Sequence, residues 1–358
     1  MSPSEAVPGP VLVVGAGLLG TSIGLALRRR DVDVAVSDVR AQNARIATAL
    51  GAANVGTDCE PAVVVVAVPP DHLGAVIAEQ LQRGAPVVTD VGSVKSAPLA
   101  AAAALVGDDA LRRYVGGHPL AGSERSGPFA ASAALFDGRP WALTPHERSA
   151  PSAVEAVAAL ARACGATPVT LDPVEHDEAV ARTSHLPHLL AALAAGRLAD
   201  APPSHLALTG QGLRDVTRIA AGDPALWQQI VTANASAVGA LLREVRDDLD
   251  RLLGAVQAAD RGPIAGLLGR GVAGTARLPG KHGGPAGADT ALYVAVPDHP
   301  GELARLFADA GEIGVNVEDV HIDHDPDRPV GLVELTVAAD RVEHLQTSLE
   351  ERGWTTHR

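Results

Sequence analysis

The sequence predicts a chain in three parts: an N-terminal α/β Rossmann-type doubly wound sheet, an all-α middle, and a C-terminal ferredoxin-like α+β unit. Three observations predict it. β-branched runs alternate with helical periodicity up to about Asp172, long helical patterns follow from Pro173, and the last stretch reads strand, helix, strand, strand, helix, strand. At 358 residues the chain exceeds a single hydrophobic core. The expected division is 1–173, 174–270, a Gly/Ala/Pro-rich linker at 271–289, and 290–358.

The first unit begins with the strand Val11–Val14, which enters Gly15-Ala-Gly-Leu-Leu-Gly20 and then a helix from Thr21 to Arg30. This is the strand, turn, helix context that a dinucleotide-binding GxGxxG needs: Gly15 for the turn, Gly17 for close approach of a pyrophosphate, Gly20 for helix packing. Leu18 and Leu19 complete the loop. A second strand, Val32–Ser37, ends at Asp38, whose carboxylate suits the ribose hydroxyls of NAD, while Arg40 is compatible with the extra phosphate of NADP.

The run Ala62–Val68 is apolar throughout, as in a strand buried on both faces, and it stops at Val68 and Pro69 before a helix near Asp71. Pro86–Asp90 opens into a loop carrying Ser93 and Lys95. Tyr114–Gly117 delivers His118 into a polar, glycine-rich segment. Pro140–Leu143 and Thr167–Leu171 supply the last strands.

From Pro173 a helical stretch to about Leu198 sets Asp177, Ser184 and His188 on one face, with a kink expected at Pro187. Asp223 and Pro224 are an N-cap and N1 proline opening a helix that can run to Gln257, about 50 Å. A helix of that length is expected to pack against a second subunit. In the last unit, the loop Asp298-His299-Pro300-Gly301 precedes a helix starting at Glu302.

Charge and cysteine usage exclude several classes. A formal net charge of -13 disfavours nucleic acid. Cys59 and Cys164 have no metal or disulfide spacing, and His176, His185 and His188 lack supporting cysteines or HExxH, so no metal is expected. The first residues lack a basic targeting region and no run is long and apolar enough for a membrane span, which fits a cytoplasmic protein.

Taken together, Asp90-Val-Gly-Ser-Val-Lys95, Gly116-Gly-His-Pro-Leu-Ala-Gly-Ser-Glu-Arg-Ser-Gly127, His176-Asp177 with Ser184-His-Leu-Pro-His188, Asp215-Val-Thr-Arg-Ile219 with Asp223-Pro-Ala-Leu-Trp227, and Asp298-His-Pro-Gly-Glu-Leu303 resemble the prephenate dehydrogenase family with an appended ACT domain. The resemblance covers nearly the whole chain. It implies NAD-dependent oxidative decarboxylation of prephenate to 4-hydroxyphenylpyruvate, on the route to tyrosine. It implies His118 as the base that takes the ring hydroxyl proton and Ser93 as the residue orienting it. Ser123, Glu124, Asp177, His188, Arg218 and Trp227 are implied at the substrate, Arg218 holding a carboxylate. Position 125 is Arg where the family pattern has Lys.

The resemblance further implies a homodimer and an allosteric amino-acid effector, tyrosine or another aromatic amino acid, at Asp298, His299, Gly301, Glu302 and Asn316. The chemistry agrees: imidazole titrates near neutrality, and a guanidinium forks onto a carboxylate. Arogenate or a 4-amino ring analogue are alternative substrates. A β-hydroxyacid dehydrogenase would be expected to carry a catalytic lysine in 174–270, which contains none. A non-catalytic sensor of NAD and an amino acid is the alternative from another class.

Overall fold

A computed structural model describes residues 7–54, 56, 58–121, 126–278, 289–324 and 330–358. The chain divides into two compact units, Met1–Val245 and Arg246–Arg358.

The first unit holds a seven-stranded sheet of β1 (Val11–Val14), β2 (Val34–Ser37), β3 (Val63–Val66), β4 (Val88–Asp90), β5 (Tyr114–Pro119), β6 (Pro140–Thr144) and β7 (Thr167–Thr170), in the order β2-β1-β3-β4-β5-β6-β7. Strands β1 to β5 are parallel. β6 runs antiparallel to β5, and β7 is parallel to β6. The expected doubly wound sheet is present with a reversed pair at one side.

β3 shows why an all-valine strand folds there. Val63 and Val65 enter one hydrophobic cluster, and Val64 and Val66 enter another across the sheet. Successive side chains point to opposite faces and both faces are covered, so every position is apolar. Each such valine contributes about 1.5–3 kcal/mol of burial. The helix Leu18–Arg28 lies close to its neighbours because a Cβ on Gly20 would sit 1.9 Å from the Gly15 carbonyl oxygen, and one on Gly24 2.4 Å from that of Ala52.

The helical part of this unit departs from expectation in two places. The stretch from Pro173 is α-helical over Pro173–Val180, becomes a π turn over Ala181–His185, and resumes as α-helix over Leu186–Gly196. Pro187 therefore sits in the first turn of a new helix, where its missing N–H costs nothing, and the π turn takes the place of a kink. The 50 Å helix is broken as well. Pro224–Ala233 ends at Asn234, whose backbone is non-helical, and Ala235–Gln257 follows with 23 residues, about 34 Å. Asp223 caps the first of these helices as expected, accepting from the Ala225 N–H at 3.0 Å. The side chain of Asn234 explains the break, because it is buried and donates to the Asp177 carbonyl.

The second unit contains the helix Arg261–Thr275, which occupies the first residues of the expected 271–289 linker; residues 279–288 lie outside the described residues. Next come β8 (Asp289–Pro297), the helix Glu302–Ile313, β9 (Asp319–His324), β10 (Val330–Ala338), the helix Val342–Glu351 and β11 (Thr355–His357). The element order is the predicted one. The strands form an antiparallel sheet ordered β11-β8-β10-β9. Alternate residues Leu292, Val294 and Val296 of β8 and Val333, Leu335 and Val337 of β10 face Leu306, Ala310, Leu345 and Leu349 of the helices. Among the described residues, no helix is long and apolar enough to cross a membrane.

Candidate active site

The parallel run β1 to β5 puts its carboxyl ends on one edge of the sheet, where open α/β sheets bind ligands. The glycine loop follows β1, Asp38 follows β2, Val68 and Pro69 follow β3, Ser93 follows β4, and His118 lies at the end of β5.

Gly15 has φ +108, and a Cβ there would be 2.2 Å from the Ala67 carbonyl oxygen, so only glycine fits the crossing between β1 and β3. Nothing lies within 4 Å of a Cβ on Gly17. The helix that starts at Leu18 and Leu19 has neither a side-chain cap nor an acidic residue in its first turn. Its N-terminal N–H groups are therefore left for an anion, the arrangement a pyrophosphate requires. Asp38 accepts from the Ala16 N–H at 2.8 Å and the Arg40 N–H at 2.7 Å, which fixes its carboxylate beside the loop. These residues fit a dinucleotide.

His118 belongs to strand β5 rather than to the polar loop expected from its sequence neighbours. It pairs with Ala142 of β6 and is 9% exposed. Beneath it lies a buried ion pair. Asp90 Oδ2 accepts from Lys95 Nζ and from the Gly92 N–H at 2.9 Å, while Oδ1 accepts from the Tyr114 hydroxyl at 2.9 Å and the Gly117 N–H at 3.2 Å. Lys95 Nζ also donates to the Gly117 carbonyl at 2.6 Å. Both backbone groups of the residue preceding His118 are thus held by one ion pair. Burial lowers the Lys95 pKa against the opposing pull of Asp90, and burial, reinforced by Asp90, pushes the Tyr114 phenol well up.

Behind His118 is a second network. His118 Nδ1 lies 2.9 Å from His176 Nε2, and His176 Nδ1 lies 2.9 Å from Asp177 Oδ1. Asp177 also accepts from the backbone N–H groups of Lys95 at 2.8 Å and Ser96 at 2.9 Å. Burial drives the Asp177 carboxyl upward, but the hydrogen bonds from His176, Ser96 and Lys95 outweigh it and leave its pKa below the usual value. Burial, then the proximity of His176, Lys95 and His185, holds the His118 imidazole well below its ordinary pKa. Asn234 lies 3.2 Å from His185 Nδ1, and burial first of all lowers His185 to about 4. His188 stacks on Trp227 with ring centroids 3.5 Å apart, over Gly222, where a Cβ would meet the indole nitrogen at 2.5 Å.

The structure therefore joins His118 to Asp177 through His176, and joins His188 to Trp227. Asp177, expected at the substrate, is buried, and its carboxylate is taken up by His176 and two backbone donors. Among the described residues Ser93 makes no side-chain hydrogen bond to His118, whose Nδ1 partner is His176. Arg218 is exposed at the end of the helix Gln211–Arg218 and forms no ion pair among the described residues. Ser123 and Glu124 lie outside the described residues.

In the second unit Asp298, His299, Gly301 and Asn316 are exposed; Gly301 has φ +98 at the helix start, and Glu302 pairs with Arg305 at 2.7 Å. His176, Lys95, Asp90 and Asn234 join these networks without a sequence motif that assigns them a role. The adjacency of His176 to Asp177, and of Lys95 to Ser93, was the available signal.

The family model described as "Prephenate dehydrogenase, nucleotide-binding domain" matches residues 23–170, and "Prephenate dehydrogenase, dimerization domain" matches residues 172–269. The probable prephenate dehydrogenase NovF of Streptomyces niveus is 39% identical over 96% of this chain and 98% of its own. The prephenate dehydrogenase of A. aeolicus, solved with hydroxyphenyl propionate and NAD+, is 26% identical, with a TM-score of 0.66 over 74% of this chain and 96% of that one. Synechocystis arogenate dehydrogenase is also 26% identical, with a TM-score of 0.62 over 74% of this chain and 98% of its own.

Proposed function

The chain belongs to the prephenate dehydrogenase family and is an NAD-dependent oxidoreductase, and from that premise we propose that it oxidatively decarboxylates prephenate to 4-hydroxyphenylpyruvate in tyrosine biosynthesis. The observation that carries the reading is His118: an imidazole held neutral by burial, at the carboxyl end of β5, on the same edge of the sheet as the glycine loop and Asp38.

NAD, when bound through Gly15, Gly17, Leu18, Leu19, Gly20, Asp38, Val68 and Pro69, supplies the hydride acceptor. The chain's own work is proton handling and charge recognition. His118 takes the C4 hydroxyl proton as that carbon is oxidised. When the ring carboxylate leaves as CO2, its electron pair aromatises the ring and leaves a phenolate oxygen. The proton returns there, so the imidazole ends neutral and no net proton is released. In this reading Ser93 orients the base, and Ser123, Glu124, His188 and Trp227 are assigned to the substrate. The exposed guanidinium of Arg218 is suited to one of the two carboxylates.

Arogenate, which differs only in its side-chain amine, is the second reading, favoured by the likeness to Synechocystis arogenate dehydrogenase. A 4-amino ring analogue would use the same site. Residues 290–358 are read as an ACT domain, on the support of their βαββαβ order and the left-handed Gly301. The exposed Asp298, His299, Gly301 and Asn316, with the half-buried Glu302, would meet tyrosine or another aromatic amino acid there. Residues 1–173 bind the cofactor, and 174–270 carry the substrate side and a homodimer contact.

The test is kcat/KM for prephenate and for arogenate, followed as NADH absorbance, in the wild type and in His118→Asn. Prephenate turnover that falls by orders of magnitude in His118→Asn with NAD affinity kept is expected. Preference for arogenate would replace the substrate, near-normal turnover in His118→Asn would remove the base, and no NADH at all would favour the non-catalytic sensor.

A further inference from the structure

We infer that His176 and Asp177 form a tautomer lock on His118, fixing the proton on Nδ1 so that Nε2 is the atom that accepts the substrate proton. The inference rests on the reading of His118 as the base, and it adds two positioning residues to that reading.

The argument starts at the far end. Asp177 receives the backbone N–H groups of Lys95 and Ser96, which are donors only. A carboxyl group facing two fixed donors is held as the carboxylate, an acceptor on both oxygens. Its contact with His176 Nδ1 must then be donated by the ring. In a neutral imidazole one nitrogen donates and the other accepts, so His176 Nε2 presents a lone pair toward His118. His118 Nδ1 supplies the hydrogen at 2.9 Å. By the same rule His118 Nε2 is left with a lone pair, and among the described residues it has no hydrogen-bond partner.

The opposite polarity would require His176 to be a cation. The surroundings oppose that. Lys95, buried from the loop after β4, already supplies the cation, neutralised by Asp90. His185 on the π turn carries a third imidazole into the cluster, and Tyr114 is bonded to Asp90. An added charge on His176, although drawn to Asp177, would lie buried 2.9 Å from the His118 ring nitrogen.

The rear of the lock is anchored independently, because Asn234 donates to the Asp177 carbonyl at 2.7 Å. In the reaction, the O–H bond breaks and an N–H bond forms at His118 Nε2. The imidazolium so formed keeps its Nδ1 hydrogen bond, and the Asp177 charge one ring further back stabilises it without rearrangement. The proton then leaves from the same Nε2 to the phenolate oxygen.

The experiment joins a spectroscopic and a kinetic arm. In the wild-type protein with 15N-labelled histidine at neutral pH, the His118 signal, identified by its loss in His118→Asn, should show a protonated Nδ1 and a bare Nε2. A protonated Nε2 overturns the lock, and this arm needs no variant of Asp177 to fold. In Asp177→Asn the amide can donate to His176 Nδ1 and reverse the whole chain, so kcat should fall by about 100- to 10,000-fold. KM for prephenate should change little, and the residual rate should keep rising with pH instead of reaching a plateau. His176→Phe should lose kcat similarly. If His118→Asn abolishes turnover while Asp177→Asn and His176→Phe keep kcat within about threefold, the base stands and the lock fails. If His118→Asn itself turns over normally, the underlying assignment fails.

Discussion

Replacing Lys95 with methionine tests whether the buried ion pair organises the floor of the site. Lys95 is 1% exposed and Asp90 0% exposed, so the variant leaves a buried carboxylate without its counter-ion. Breaking a buried pair from one side costs about 3–5 kcal/mol. The Tyr114 hydroxyl and the Gly92 and Gly117 N–H groups still serve Asp90, which points to the lower end of that range. Against this, the Gly117 carbonyl loses the donor it has at 2.6 Å.

We take about 3 kcal/mol for the net effect, and about 2–4 °C of Tm per kcal/mol for a unit of this size gives a fall of about 6–12 °C. Calorimetry of the full chain reads it in the transition of the first unit. The double variant Asp90→Asn, Lys95→Met removes both charges and should regain more than half of the loss, a coupling that a double-mutant cycle isolates. A Lys95→Met protein melting within about 2 °C of wild type, or a double variant whose loss is the sum of the singles, would refute the reasoning.

Gly117→Ala should destabilise by about 1–3 kcal/mol in urea and depress turnover, because its Cβ would lie 2.6 Å from the Asp90 carbonyl oxygen, 2.9 Å from Thr89 Oγ1 and 3.0 Å from Trp141 Nε1. Gly196→Ala, with nothing within 4 Å, is the neutral control, and equal midpoints for the two would sink the packing argument. Acid should act through the buried imidazoles: His185 binds its proton only near pH 4 in the fold and near pH 6.5 when unfolded, so the unfolded state holds more protons between these values. Stability is therefore expected to fall as pH drops through that window, with His118, His146 and His188 acting in the same direction, and a Tm flat across it would contradict this.

What was legible in the sequence is what local chemistry decides. The run Ala62–Val68 announced a strand because burial on both faces permits only apolar side chains, and Gly15 announced its turn because the Ala67 carbonyl leaves room for nothing larger. Asp38 is marked by its distance from the glycines, and it is held beside them by the Ala16 N–H. The glycine, proline and serine neighbours of His118 point to a loop. The end of the strand that holds His118 pairs with β6, which returns antiparallel from a distant segment and supplies Ala142 opposite His118.

Lys95 and His176 have the composition of solvated residues, and their burial depends on counter-groups from other elements, Asp90 for one and His118 with Asp177 for the other. The break at Asn234 was hidden for the same reason: helix propensity yields there to a buried amide that finds its acceptor 57 residues earlier.

The π turn at Ala181–His185 has a consequence at the level of the gene. Its i to i+5 bonding accommodates one residue more than an α-helical turn. Deleting a single codon there would restore continuous α-helix and turn the helix that follows, Leu186–Gly196, by about 100° against its neighbours. Such a swing carries His188 away from Trp227 and His185 away from Asn234, while His176 and Asp177, upstream of the turn, keep their places behind His118. The turn thus sets the phase between two groups of side chains, and a change of one codon could retune the substrate side without touching the proton-transfer side.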